Sequence, residues 1–237
     1  GTSGKISPGD TVWIVGTVST PLAFQGSGVP GNPVTLKWEP GAKLSAGTWA
    51  TAALLCEGDN YAGLKHDIVI DGYADGRIEA TASGTGMTYS SCGYGVRCVG
   101  TSQLEIKNLR VLDLFVRTVG NDASTPGTLI SCANAVNAAM ADISVHDCIL
   151  QNGFIGVATG YNLQGTSNVS IYRNSIRYVN WGIQCGSEVA GSTISNLRIY
   201  GNTISDFANW DEPATNNHHH NAIFVWTNNS DTGNACS

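Results

Sequence analysis

The chain has 237 residues, of which 13% are charged, and its formal net charge is −6. So few cations under a net negative charge exclude the basic footprint of a nucleic-acid binder. No run of about 18 apolar residues occurs, which excludes an apolar membrane-spanning helix, and the length fits one domain.

Taken in order, residues 1–53 read as an entry segment and first rung. Gly9-Asp10-Thr11 is a turn, Val12-Trp13-Ile14-Val15 a strand that serves as a cover for the entry end, and Leu22-Ala23-Phe24 another short strand. Residues 54–226 then carry a returning three-residue phrase. It reads Leu54-Leu55-Cys56, Val96-Arg97-Cys98, Ile130-Ser131-Cys132, Ile155-Gly156-Val157, Ile183-Gln184-Cys185 and Ile223-Phe224-Val225. Apolar, variable, apolar is the period-two signature of a strand with one buried face. The spacers are elastic, from 25 to 42 residues. A fixed phrase with an elastic spacer is the mark of a solenoid whose rungs stack while its loops vary.

A second ladder runs in phase with the first. It comprises Val34-Thr35-Leu36, Ile68-Val69-Ile70, Leu104-Glu105-Ile106, Ile143-Ser144-Val145, Val169-Ser170-Ile171 and Leu197-Arg198-Ile199. A third element follows most copies: a bend at Leu109, Cys148, Asn174 and Asn202, then Val111, Leu150, Ile176 and Ile204. Asn suits such a bend because it tolerates positive φ and hydrogen-bonds nearby backbone. The pattern predicts an all-β fold, a right-handed parallel β-helix of about seven rungs with three strands per rung, in a single domain over 1–237. Residues 227–237 form a polar tail with little to cover the last rung. That end is expected to be an interface, to another chain or to further sequence.

Cys56, Cys98, Cys132 and Cys185 fall in one inward column, as do Val157 and Val225, and are expected to be buried thiols. Stacked rungs about 4.8 Å apart bring Cα atoms within disulfide range, but parallel Cβ vectors disfavour the bond. The absence of any Cys-x-x-Cys pair argues against a zinc knuckle.

Residues 7–46, SPGDTVWIVGTVSTPLAFQGSGVPGNPVTLKWEPGAKLSA, carry a more specific signal. Pro8-Gly9-Asp10-Thr11, Gly31-Asn32-Pro33-Val34-Thr35-Leu36 and Pro40-Gly41-Ala42 resemble the opening turns of right-handed β-helix proteins of the pectin-lyase-like superfamily. The segment looks most like the chondroitinase B-like and alginate lyase-like polysaccharide lyases. The resemblance implies a substrate lying along the first-ladder face, between the loops that flank it. That face lacks the acidic row that would hold Ca²⁺, so no cofactor is expected, Ca²⁺ being the one considered. The polygalacturonase phrases Asn-Thr-Asp, Gly-His-Gly and Arg-Ile-Lys do not occur.

A lyase needs a base for the proton alpha to a uronate and a cation for the developing charge. Arg97 is the one cation among the outward middle residues Leu55, Arg97, Ser131, Gly156, Gln184 and Phe224. The loop over 206–221 gathers Asp206, Trp210, Asp211, Glu212, His218, His219 and His220. The catalytic candidates are therefore Arg97, Asp211, Glu212 and His220; a solvated loop is the competing reading for the last three. Neighbours in a His triplet on a strand point to opposite faces, and no metal site is assigned. Tyr94, Phe154, Trp181, Gln184, Trp210 and Phe224 are the candidate sugar-binding residues, with the aromatics as a stacking strip. Asn168-Val169-Ser170 and Asn228-Asn229-Ser230 fit the N-glycosylation pattern.

The missing catalytic phrases favour a secreted, non-catalytic β-helix that binds polysaccharide or other glycan, or assembles with other chains at the cell surface. Self-association through the C-terminal end belongs to that reading. The alternative is a polysaccharide lyase or glycoside hydrolase acting on an acidic polysaccharide. The chain opens at Gly1 without an initiator methionine, which carries the expectation that a leader has been removed.

Overall fold

The computed structural model describes residues 5–57, 64–82, 92–114, 127–133, 139–160, 165–187, 193–207, 220–227 and 235–236. Among these residues there is no helix, and none long and apolar enough to cross a membrane. The strands begin with β1 (Thr11–Ile14), β2 (Thr17–Val18), β3 (Leu22–Ala23), β4 (Val34–Trp38), β5 (Lys43–Ala46), β6 (Ala52–Glu57) and β7 (Lys65–Asp71). They continue with β8 (Arg77–Ala80), β9 (Tyr94–Val99), β10 (Thr101–Lys107), β11 (Arg110–Leu112), β12 (Thr128–Ala133), β13 (Met140–His146) and β14 (Ile149–Gly160). The last are β15 (Thr166–Tyr172), β16 (Ser175–Ser187), β17 (Thr193–Tyr200), β18 (Thr203–Ser205), β19 (Asn221–Thr227) and β20 (Ala235–Cys236).

Every named pair of strands is parallel. One sheet runs β1-β4-β7-β10-β13-β15-β17-β20, so the chain leaves and re-enters it in sequence order. A second sheet holds the rest, with the long strands β14 and β16 joining its two halves. This is the topology a β-solenoid requires: each circuit stacks on the one before, and the core is the column between the sheets.

The second ladder stacks as read: Val34, Ile68, Leu104, Ile143, Val169 and Leu197 are successive register partners. The third does too, through Leu44, Ile78, Val111, Leu150, Ile176 and Ile204. Their inward side chains fill one core; Ile68, Ile70, Ile106, Ile78 and Val111 have no exposed surface.

The first ladder differs in one rung. Ile130 pairs with Val157, not Ile155, and Val157 with Ile183. The stacked phrase is therefore Val157-Ala158-Thr159, so Thr159 takes the place in the Cys column that the sequence gives to Val157. Ile155-Gly156-Val157 and Val157-Ala158-Thr159 alternate alike in sequence, so alternation alone does not separate them, although in the structure Ile155 packs outside the main core and Val157 inside it. The residue before the phrase separates them, being small in five of the six copies: Ala53, Gly95, Gly156, Gly182 and Ala222 are small, and only Ile130 follows a large residue, Leu129. An ideal Cβ on Gly156 would come 2.6 Å from Ile176 Cγ2.

The bends also differ from expectation. Asn174 and Asn202 do not carry positive φ; the preceding residues Asp147, Arg173 and Gly201 do, at 54°, 54° and 63°. The asparagines act through their side chains instead. The Cys148 N–H donates to Asn174 Oδ1 (3.0 Å), while Asn174 Nδ2 donates to the Val145 carbonyl (3.0 Å). Asn202 repeats the device one strand on, accepting from the Asn174 N–H (3.0 Å) and donating to the Ile171 carbonyl (2.8 Å). Each Asn thus satisfies backbone groups that the bend takes out of the sheet ladder.

At the β1 end, Val12 and Ile14 are not a cover over the core. They belong to the first strand of the sheet and line an apolar cavity of about 700 Å³ with Leu22, Phe24, Leu36 and Leu54.

Six thiols, Cys56, Cys92, Cys98, Cys132, Cys148 and Cys185, are free and buried. Burial pushes Cys92 up to about 11 and Cys148 up to about 12. Hydrogen bonds among the thiols of Cys132, Cys56 and Cys98 raise Cys98 well above the ordinary range, and burial adds to that. In the native protein these six stay unmodified by a thiol reagent at neutral pH and react once denaturant is added. A folded-state pKa above the unfolded 9.0 contributes stability that is full below pH 9 and lost as pH climbs toward 12. The melting temperature, followed across that window, therefore falls.

Candidate functional site

The outward side of the first ladder is carried by β6, β9, β12, β14, β16 and β19. Register places Leu55, Arg97, Ser131, Ala158, Gln184 and Phe224 in one column. Ala158 holds the position that the phrase Ile155-Gly156-Val157 would give to Gly156. Neighbours in the column stand about 4.8 Å apart. Its middle is closed to solvent: Ser131, Ala158 and Gln184 are 4%, 5% and 3% exposed.

The two ends of the column have different chemistry. At the β6–β9 end, Arg97 Nε lies 3.0 Å from Glu57 Oε1, and its guanidinium sits 5.2 Å from the Tyr94 ring centroid. The cation is thus matched by a carboxylate and packed on a ring. A group so held can position a ligand's hydroxyl or carboxylate; as the electrophile of an elimination it would first have to give up Glu57.

At the β14–β19 end the aromatics meet. Phe154 and Trp181 have ring centroids 5.4 Å apart, Trp181 and Phe224 5.8 Å, and Phe224 and Trp226 6.1 Å. Local sequence explains the arrangement. Phe224 and Trp226 are two apart on one strand and so share its outer face. Trp226 lies across Gly186, where an ideal Cβ would come 2.6 Å from Trp226 Cδ1. Trp181 is the register partner of Ile155 and packs on a satellite cluster of Phe154, Ile155 and Ala158 outside the main core. The result is a row of rings that crosses from β14 to β19 obliquely, since Trp181 pairs with Asn221 and Phe224 with Gln184, and then runs along β19; Trp181, Phe224 and Trp226 are half-buried.

Of the residues singled out from sequence, the structure brings Phe154, Trp181, Gln184 and Phe224 together and adds Trp226. Tyr94 shares a column with Trp181, but Thr128 and Ile155 stand between them and Tyr94 turns to Arg97. His220 is half-buried at the start of β19. Trp210, Asp211, Glu212, His218 and His219 lie outside the described residues, as does the Asn228 sequon. The Asn168 sequon is described: its Nδ2 donates to Asp142 Oδ1 (2.9 Å) and its Oδ1 accepts from Asn196 Nδ2 (2.7 Å). Among the described residues no group of three or more His, Cys, Asp or Glu is placed to hold a metal ion.

The sequence reading missed the outer face of the other sheet. Register aligns Trp13, Lys37, Asp71, Lys107, His146, Tyr172 and Tyr200 in one column. The rings of His146 and Tyr172 stack at 4.6 Å, and those of Tyr172 and Tyr200 at 4.9 Å. His146 is clasped by two carboxylates, Asp147 Oδ2 at 2.6 Å on Nδ1 and Glu105 Oε1 at 3.1 Å on Nε2. Arg173 donates two hydrogen bonds to Asp147 at 2.8 and 2.6 Å, and these with the His146 contact hold that carboxyl well below the usual range. Burial raises Glu105, but hydrogen bonds from Lys107 and His146 outweigh it and leave the group lowered. His146 is 7% exposed, so the clasp ties strands together and does not face a substrate. The signal was in the residue that follows the second apolar position of each second-ladder phrase, which is aromatic or charged in every copy.

No known protein family, curated protein or solved structure matches the chain.

Proposed function

We propose that this chain is a right-handed parallel β-helix of the pectin-lyase-like kind. It has seven turns of three strands and acts as a secreted, non-catalytic module that binds glycan along its first-ladder face. The strand order supports the turn count, and the resemblance over residues 7–46 supports the kinship. The observation that carries the sugar reading is the ring row Phe154–Trp181–Phe224–Trp226, which crosses β14, β16 and β19 obliquely beside Gln184. Ring faces take the apolar faces of sugars, and a row of them suits a linear polymer better than a compact ligand. The ion pair of Arg97 with Glu57 supports binding over turnover, because it occupies the one cation of the column.

Titration calorimetry against a panel of neutral and acidic polysaccharides tests the reading. The wild-type chain binds at least one, and Trp181→Ala weakens that affinity about tenfold, the worth of one desolvated aromatic contact. Absence of binding across the panel overturns the sugar reading. Ultraviolet absorbance from an unsaturated product, with or without Ca²⁺, or release of reducing ends overturns the non-catalytic one.

A further inference from the structure

The two ends of the stacked sheets carry complementary surfaces. At the β17–β19 end, Ile223 and Val225 are 48% and 43% exposed although they stand in inward columns. At the β1–β3 end the same columns finish in Leu22 and Phe24, which line the apolar cavity of about 700 Å³. One end thus presents apolar side chains at the positions where the other has apolar space. The outer face repeats the relation: the aromatic and charged column has Trp13 at one end, 44% exposed, and Tyr200 at the other, 52% exposed.

The backbone edges correspond as well. β20 pairs only with Thr193 and Ile194 of β17, so among the described residues the edge from Leu197 to Tyr200 has no partner. The opposite edge of the same sheet is β1, four residues long. Carrying the existing register forward one step sets Arg198, Ile199 and Tyr200 against Thr11, Val12 and Trp13. It also sets Ile204 against Val18, and Ile223 against Leu22. Arg198 then stands next to Asp10, an opposite charge.

We propose that the occupant of each end is a second copy of this chain, stacked end to end so that β1 of one copy continues the sheet at β17 of the next. The contact is heterologous: different surfaces of the two copies meet, and each added copy leaves the same two ends open. Backbone hydrogen bonds across the joined edges supply direction, and closure of the cavity over Ile223 and Val225 supplies the apolar burial. Tyr200 of one copy then meets Trp13 of the next, extending the ring stack across the joint. This goes beyond the sugar reading, which uses a different face.

Sedimentation and light scattering on the full chain over a concentration series test the proposal. The weight-average mass rises with concentration and passes that of a dimer. Ile223→Asp weakens the association about tenfold or more, because a carboxylate must enter the apolar joint. That side chain is half exposed in the single chain, so the variant keeps its fold. A second arm does not depend on it. Trp13→Cys protein mixed with Tyr200→Cys protein and a short bis-maleimide gives a thioether link between positions 13 and 200, since register partners about 4.8 Å apart lie within its reach and the reagent does not need disulfide torsions. Peptide mapping distinguishes this link from any through Cys236. A monomer at every concentration, an assembly that stops at two, or association without the 13–200 link each overturns the proposal.

Discussion

Asn174→Ala lowers the unfolding free energy by about 2–6 kcal/mol, the cost of leaving two buried backbone groups without partners at roughly 1–3 kcal/mol each. Asn174 is 2% exposed, and its amide bonds on both sides of the bend: Oδ1 accepts from the Cys148 N–H, and Nδ2 donates to the Val145 carbonyl and to Asn202 Oδ1 (2.9 Å). Alanine supplies neither function, and the site is too enclosed for water to replace both without rearrangement. Asn202→Ala costs less. Its bonds to the Asn174 N–H and the Ile171 carbonyl are of the same kind, but Asn202 is half-buried and water can reach them. Urea unfolding checks the order. The midpoint falls further for Asn174 than for Asn202, with the slope unchanged in both, because the surface exposed on unfolding is the same. Equal midpoints for Asn174→Ala and wild type would show that the bend is held by the strands alone.

The bend was legible in the sequence and its mechanism was not. The near-identical phrases Ile171-Tyr172-Arg173-Asn174-Ser175-Ile176 and Ile199-Tyr200-Gly201-Asn202-Thr203-Ile204 locate it. They do not say which residue turns the backbone and which repairs the hydrogen bonds. In the structure those tasks fall on neighbours. Gly201 shows that the position before Asn is the left-handed one; Arg173 fills it in the preceding copy and is anchored there by its two bonds to Asp147. An Arg at positive φ is unusual, and nothing in a single sequence marks it.

The candidate site divides in the same way. Phe154, Trp181 and Phe224 were readable because large aromatics at outward positions have no core to enter. The partner of Arg97 was not, because Glu57 reaches it only through the pairing of β6 with β9, and ion pairs across strands leave no local pattern. The column from Trp13 to Tyr200 was within reach. It repeats at a fixed place in each phrase, but only the stacking shows that His146, Tyr172 and Tyr200 touch.

Gly156→Ala separates the two registers of the first ladder by the sign of its effect. In the register read from sequence, Gly156 is an outward middle residue. Its φ is not in the left-handed region, so alanine there meets no backbone strain. It would then stabilise by about 0.4–1 kcal/mol by restricting the unfolded chain. In the structure the same Cβ points inward, 2.6 Å from Ile176 Cγ2 and closer still to the Gly182 carbonyl oxygen of the neighbouring strand. The carbonyl belongs to a parallel ladder paired on both sides of the contact, at Ile155–Trp181 and Val157–Ile183, so it moves only if the strands part. Overpacking of this kind destabilises by about 1–3 kcal/mol. Gly182→Ala meets the same obstacle one strand on, from the Ala222 carbonyl and from Ile204 Cγ2 at 2.7 Å, and falls in the same range. Urea midpoints for the two variants decide. Both shift downward if Val157 stacks between Ile130 and Ile183. A midpoint for Gly156→Ala at or above wild type, with Gly182→Ala still destabilised, would return Ile155 to the stack and Gly156 to the outer face.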